Sequence, residues 1–385
     1  MFSKTPIAWL QLTYRKSRLV VTLLGIVFAV LLMFMQLGFR DGLFADAITI
    51  HQTLQADLVL THTNTRKFFG MTVFPRQRLY AVSALPGVAE AKPFYFSFGD
   101  FKNPETFTTK PILVCAFRLD KPVFDLPEVN QQLAVIKQAN TVLFDRLSRN
   151  DYGPIATAFD ETGDVSIELS KQNIKIGGLF SLGGGVLSVD GMMITSAENY
   201  ARLLKRPLEN IQMGLIDLEP GIDPEDFLAS ASPTLPRDVK LMTLESFLAL
   251  EHTYWADSSP IGFIFNLGTL LGCIFGGIIV YQILYTQISD NIHIYATFRA
   301  IGYANAHLIG LVLQQAFLMS LIGYIPGFLF SLYLYQFVQE ATRLPVAMMA
   351  SRAAIVLCLT LVMCAVAGLL AIGKLRSADP ADLFQ

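Results

Sequence analysis

Residues 19–39 read LVVTLLGIVFAVLLMFMQLGF, a run with no Asp, Glu, Lys or Arg. A helix rises about 1.5 Å per residue and must cross about 30 Å of hydrocarbon with every backbone group bonded internally, so about 20 apolar residues make a span. Leu19–Phe39 has that length, and so do Ile261–Thr286, Ala306–Val338 and Arg352–Gly373. A long, more polar stretch separates the first run from the other three. The pattern predicts an α-helical membrane protein with four transmembrane helices plus a large α+β extracytoplasmic (periplasmic) domain between the first and second.

Composition agrees with such a hybrid. The chain is 53% hydrophobic and 16% charged, with a mean hydropathy of +0.47. That is too apolar for an ordinary soluble protein and too polar for a bare helix bundle. A net charge of −2 lacks the basic excess of a nucleic-acid binder, so no nucleic-acid partner is expected. Cys273, Cys358 and Cys364 fall inside predicted spans, which leaves Cys115 alone in the outer domain with no partner for a disulfide there.

Arg15, Lys16 and Arg18 precede the first run as they would in a signal peptide. A cleavable apolar core is shorter, about 7–15 residues, and ends at small residues, whereas this run leads into Gln36–Asp41 without an Ala-x-Ala site, so it reads as a retained span. Lys4, Arg15, Lys16 and Arg18 before the first span, with Lys374 and Arg376 after the last, place both termini in the cytoplasm by the positive-inside rule. The expected order is a cytoplasmic amphipathic helix at 1–18, spans at 19–40, 260–286, 306–338 and 352–373, and a periplasmic domain at 41–259. A cytoplasmic loop at 287–305, an outer loop at 339–351 and a cytoplasmic tail at 374–385 complete it. The protein is then a multi-pass component of the inner (plasma) membrane.

Within the outer domain, strands are expected at Ala56–His62, Lys110–Phe117, Val165–Leu169, Ile174–Gly178, Val186–Thr195, Ile211–Leu218 and Val239–Met242. Thr195 and Glu198 fit a capping box opening a helix over Ser196–Leu204, and Leu244–Tyr254 reads as a helix leading to the second span. Pro and Gly clusters at Phe101–Pro104, Asp151–Pro154 and Ile216–Pro224 are expected linkers, dividing the domain into a core and a subdomain.

Signals for chemistry are weak. Gly368–Lys374 matches GxxxxGK, but Leu375 follows where Ser or Thr should place a hydroxyl on magnesium, and an apolar helix precedes it instead of a strand. The five histidines, at 51, 62, 252, 293 and 307, show no ligand spacing, and no nucleophile elbow is present, so neither metal nor catalysis is expected. No ionisable residue falls mid-span, which disfavours ion-driven transport. The glycine-rich run 177–191 reads as a turn between strands, and Gly183, Gly184, Gly185 and Asp190 are candidate contacts for a partner. Gly268, Gly272 and Gly276 stack on one face of the second span, a surface for dimerisation or for helix packing within the chain; Gly323, Gly327 and Ser331 do so on the third, which Pro326 should kink.

In the loop 287–305, Ile288, Ile292, Tyr295 and Phe298 recur at helical spacing, giving an amphipathic helix with one face free for a partner's groove. The core Ala296-Thr297-Phe298-Arg299-Ala300-Ile301-Gly302 resembles the "rrrEiatLRAiGa" loop of the FtsX/MacB superfamily of ABC transporter permeases. Ile7–Arg18 and the tail Lys374–Leu383, similar to the family's "r-x-DPaeaL" ending, agree. Within the superfamily the chain most resembles the cyanobacterial DevC-type permeases, through Arg18–Ile26, Phe180–Gly183, Asp190–Ser196 and the tail.

The resemblance implies a non-catalytic permease subunit, working as a homodimer in the lipid bilayer with a separate ATPase chain that binds ATP and Mg. It implies a periplasmic membrane-fusion adaptor, a TolC-like outer-membrane channel and a lipid-like or hydrophobic cargo exported by mechanotransmission. Ile292, Tyr295, Phe298, Arg299, Ala300, Ile301 and Gly302 would form the ATPase-coupling element. The alternatives are an FtsX-like signalling scaffold acting on a wall hydrolase and a lipoprotein-releasing permease.

Overall fold

A computed structural model describes residues 16–183, 190–290, 292, 297 and 301–377. The chain opens with the helices α1 (Lys16–Ala47) and α2 (Thr49–Gln52). There follow β1 (Leu58–His62), β2 (Phe74–Pro75), α3 (Gln77–Ser83), β3 (Val88–Lys102), β4 (Thr109–Phe117), α4 (Pro127–Asn130), α5 (Leu133–Ile136), β5 (Thr141–Asp145) and α6 (Ile155–Thr162). Next come β6 (Val165–Leu169), β7 (Gln172–Phe180), β8 (Met192–Ser196), α7 (Ala197–Leu204), β9 (Asn210–Ile211), β10 (Met213–Leu218), α8 (Pro224–Ala231), β11 (Val239–Thr243) and α9 (Leu244–Thr253). Three long helices close the chain: α10 (Pro260–Asp290), α11 (Asn305–Thr342) and α12 (Ala350–Ser377).

Contacts divide the chain into two units, Leu43–Ser259 and a discontinuous one made of Met1–Gly42 with Pro260–Gln385. In the first, nine strands form one mixed sheet in the order β11-β1-β10-β3-β4-β8-β5-β7-β6. Side chains alternate across a strand, so each strand feeds two cores. Leu58 and Leu60 of β1, Tyr95 and Phe101 of β3, and Ile112, Val114 and Ala116 of β4 fill one face. Val59, Phe94, Phe96, Leu113, Cys115 and Phe117 fill the other. Both faces are covered, which accounts for strands that read as unbroken apolar runs.

One sheet through the whole unit corrects the expectation of linkers and a subdomain. Asn103 sits in the β3–β4 turn, its Oδ1 accepting from the backbone N–H of Glu105 and Thr106 at 2.8 and 3.0 Å. Asp151–Pro154 is a tight turn around Gly153, and Asp223 caps α8 with Pro224 in its first turn. These clusters punctuate one sheet whose neighbouring strands come from both sides of each. Thr195 is likewise not the cap of α7: its hydroxyl donates to the Thr141 carbonyl at 2.7 Å, and Ser196 takes the Asn199 N–H at 3.2 Å. The expected strand over Val186–Thr195 shows as β8 from Met192, residues 186–189 lying outside those described.

The other unit contains the four helices long and apolar enough to cross a membrane. They exceed the apolar runs, since α1 continues to Ala47, α10 to Asp290 and α11 to Thr342. Their mutual directions follow from their contacts. A Cβ on Gly268, Gly272 or Gly276 of α10 would meet Gln36, Leu32 or Ala29 of α1, so these two helices are antiparallel. Gly323 and Gly327 of α11 face Ile26 and Val30, so α11 runs with α1. The Tyr324 hydroxyl donates to the Ala353 carbonyl at 2.9 Å and Gly368 faces Ala316, so α12 runs against α11. The start of α1 and the end of α12 therefore lie at the same end of the bundle.

Candidate functional site

The glycine stripe of α10 is spent inside the chain. A Cβ at Gly276 would lie 2.5 Å from the Ala29 Cβ and 2.6 Å from the Met363 Sδ, closer than a Cβ approaches either carbon or sulfur. The absent side chain lets α1 and α12 approach α10 together. Gly268 likewise admits the Gln36 amide. What α10 leaves uncovered is apolar, including Phe263, Ile264, Leu270, Phe275 and Ile278.

Where α1 ends and α10 begins, polar side chains tie the four helices together. Arg352 on α12 reaches Asp41 of α1 at 2.8 Å, and its Nη1 donates to the Ala347 carbonyl at 2.8 Å. The same guanidinium lies 5.6 Å from the ring centre of Tyr335 on α11, whose hydroxyl donates to the Phe34 carbonyl. Arg40 pairs with Asp41 at 2.8 Å and donates to Asn266 of α10 at 2.9 Å. Arg40, Asp41 and Arg352 sit at the ends of the apolar runs, where a charge carries no signal in the sequence.

At the opposite end of the bundle, the loop after α10 is described only in part. Tyr295, Phe298, Arg299 and Ala300 lie outside the described residues. Ile292 and Thr297 are helical, and the Ile301 N–H donates to the Thr297 carbonyl at 3.0 Å. Gly302 follows with φ +99°, the left-handed conformation that ends helices and favours glycine. Ile301 is 70% exposed, and the exposed Tyr303 lies against His307 at 4.9 Å. Ile288 corrects the expected stripe: it is buried in the last turn of α10 and offers nothing to a partner.

The glycine-rich segment is anchored at both ends. Asp145, buried at the end of β5, accepts from the N–H groups of Leu182 and Gly183 at 3.2 and 3.0 Å. Asp190 pairs with Arg149 at 3.0 Å. Gly184 and Gly185 lie outside the described residues. Gly368–Lys374 is continuous helix within α12, where backbone N–H groups serve intrahelical bonds and cannot wrap a phosphate. His51 is packed between Phe68 and Phe247, His62 Nδ1 accepts from the Asn64 N–H, and His252 meets the Phe44 ring edge-on. Among the described residues no three His, Cys, Asp or Glu side chains come together as metal ligands would.

Residues 263–380, from the second turn of α10 into the tail, match the FtsX-like permease C-terminal family. The chain thus carries an FtsX-like permease domain. The match takes in the loop whose Ala296–Gly302 core carries the superfamily resemblance. Two solved structures are similar to part of the chain. The periplasmic region of MacB from Actinobacillus actinomycetemcomitans aligns at 10% identity over 51% of this chain and 92% of its own, with a TM-score of 0.36. The extracellular domain of the noncanonic ABC-type transporter YknZ from Gram-positive bacteria aligns at 10% identity over 49% of this chain and 100% of its own, with a TM-score of 0.32. Likeness of that degree says nothing about activity. No curated protein matches the chain. Four helices long and apolar enough to cross a membrane, three of them within or largely within the segment that matches an FtsX-like permease, indicate a membrane protein.

Proposed function

We propose that this chain is the permease subunit of an ABC exporter, DevC-like in its assembly, that converts ATP hydrolysis by a separate ATPase subunit into movement of its helices and periplasmic domain. The observation that carries the reading is the FtsX-like match over residues 263–380. ATP and Mg belong to the partner; this chain is not an enzyme. It works as a homodimer in the inner membrane and drives a lipid-like cargo through a periplasmic adaptor and a TolC-like outer-membrane channel.

Coupling falls to the loop at Ile292, Tyr295, Phe298, Arg299, Ala300, Ile301 and Gly302. The exposed Ile301 and Tyr303 support this, because apolar groups at a loop are what a groove on a partner takes up. The common end shared by the start of α1 and the end of α12 supports cytoplasmic termini, with the basic residues flanking both on the inner side. Since the α10 glycines serve packing within the chain, the dimer contact belongs to the uncovered apolar faces.

The test is stimulation of the partner ATPase in reconstituted complexes. Replacing Phe298 and Arg299 together by Ala should reduce stimulated hydrolysis and transport at least tenfold; unchanged rates would remove the assignment. Copurification of an adaptor and a channel is expected, whereas a wall hydrolase without a channel would point to a signalling scaffold.

A further inference from the structure

The extracytoplasmic domain holds an open basin of about 870 Å³ at the carboxyl ends of β4 and β8. These strands are parallel neighbours, with Phe117 opposite Ser196, so both chains leave the sheet side by side. Carboxyl ends of adjacent parallel strands are favoured places for ligand crevices, because the departing segments diverge there.

Four cations line the basin from four separate segments: Arg76 ahead of α3, Arg118 after β4, Lys137 after α5 and Arg202 on α7. Against them stand two carboxylates, Asp120 and Glu198. Arg118 and Asp120 satisfy each other through two bonds at 3.1 and 2.8 Å. Arg76, Lys137 and Arg202 have no carboxylate in ion-pair range among the described residues. Arg76 reaches the Tyr95 hydroxyl at 3.4 Å and lies over the Tyr80 ring, while Arg202 reaches the amide oxygens of Asn140 and Asn199 at 3.4 Å. In a chain whose net charge is −2, that concentration runs against the overall balance.

The floor is built rather than incidental. Asn199 is buried and its Nδ2 donates to the carbonyls of Ile136, Gln138 and Thr141 at 3.0, 2.8 and 3.1 Å. Those bonds bracket Lys137 and hold its backbone against α7, beside Arg202. The Tyr95 hydroxyl donates to the Leu208 carbonyl at 3.2 Å, fixing the wall beneath Arg76.

We propose that this basin binds a phosphate-bearing ligand. Guanidinium forks and an ammonium lining one basin without carboxylate partners suit a compact group with several terminal oxygens and more than one negative charge. The phosphate is either the headgroup of an anionic lipid or a soluble ester. The inference stands independently of the export reading, since it rests on side chains of the domain alone.

The experiment titrates the full-length protein in dodecyl maltoside with inorganic phosphate and with dihexanoyl phosphatidic acid, using uncharged dihexanoyl phosphatidylcholine as the control. Saturable binding of one phosphate probe per chain is expected, weakened at least tenfold by Arg76→Gln, by Arg202→Gln and by Lys137→Glu. Lys137 is exposed, so its replacement leaves the unfolding midpoint in place and separates loss of binding from loss of fold. Binding of inorganic phosphate upholds the site and assigns it to soluble esters; binding of phosphatidic acid alone upholds it and assigns it to a lipid headgroup. Failure of both probes to saturate, or binding that survives all three substitutions, overturns the proposal.

Discussion

Nη2 and Nε of Arg352 converge on a single carboxylate oxygen of Asp41, at 2.8 and 3.2 Å. The arginine side chain is only 4% exposed and Asp41 is 30% exposed, so the guanidinium depends on this partner for most of its compensation. Truncating one member of a buried pair leaves an uncompensated charge, which typically costs about 3–5 kcal/mol. Asp41→Ala should therefore lower the unfolding midpoint of the detergent-solubilised chain markedly, at the lower end of that range because Asp41 is partly exposed and water reaches the site. Asp41→Ala with Arg352→Met should cost less than the sum of the single changes, by about 1 kcal/mol or more, as expected of contacting residues. Additive costs would show that the pair is incidental.

Gly276 sits where α1, α10 and α12 meet, with Ala29 and Met363 on either side. Gly277, one residue on, has only Met363 Cγ at 3.5 Å, an ordinary contact. Gly276→Val should strain the bundle by about 1–3 kcal/mol, the usual cost of overpacking. Gly277→Ala should be near neutral. Melting of the two variants in the same detergent distinguishes them, and equal midpoints would contradict the close approach described above.

The long helices were legible because an apolar run of membrane length has few other uses. Val165–Leu169 was legible for a similar reason, since VSIEL alternates apolar and polar residues between turns, the period of a strand. The longest strand of the sheet, β3, was not. Its sequence carries Glu90, Lys92, Pro93, Gly99 and Asp100, residue types depleted in strands, and no strand is expected there. The structure resolves the conflict: up to Phe94 the strand pairs with β10 and from Phe94 onward with β4, β6 joining only at Phe101 and Lys102, so the stretch holding Pro93 has one free edge. A proline is tolerated at such an edge, and Lys92 is neutralised by Asp217 at 2.5 Å. The basin was hidden for another reason, because Arg76, Arg118, Lys137 and Arg202 are far apart in sequence and only the parallel pairing of β4 with β8 assembles them.

Asn199 offers a sharp stability test. Besides the three carbonyls on its Nδ2, its Oδ1 accepts the Asn140 N–H at 3.0 Å. Asn199→Ala would take a partner from the buried Ile136 carbonyl and from the half-buried Gln138 carbonyl and Asn140 N–H, a buried group left unmade costing about 1–3 kcal/mol, while the Thr141 carbonyl keeps the Thr195 hydroxyl. Partial repair by water lowers the total, and a loss of about 2–4 kcal/mol is expected in urea unfolding followed by the intrinsic fluorescence of the domain. A loss under about 1 kcal/mol would mean that the segment 136–141 holds its place without this side chain.

His51 and Glu251 give the domain two opposed pH responses. His51 is fully buried against Phe68 and Phe247, and burial lowers its pKa from 6.5 to about 4, opposed only by a weak contact to the Ile48 backbone; neither ring nitrogen makes a well-formed hydrogen bond. The unfolded imidazole takes up its proton near pH 6.5, the folded one only near pH 4. Over that window the unfolded chain binds more protons, so stability falls as pH falls, by roughly 3 kcal/mol once pH 4 is passed. Glu251, whose carboxylate accepts from the Phe68 N–H at 2.7 Å and Trp255 Nε1 at 2.9 Å, is pushed the other way: burial raises its pKa above the ordinary carboxylate value. Its contribution is present below the ordinary value and lost as pH rises through the raised one. His51→Phe should fill the aromatic pocket and flatten the decline between pH 6.5 and 4, while Glu251→Gln should remove the opposing loss. Urea unfolding of the two variants and the parent across pH 4–8 checks both signs. A parent and His51→Phe variant with the same slope below pH 6.5 would show that the imidazole is protonated within the fold.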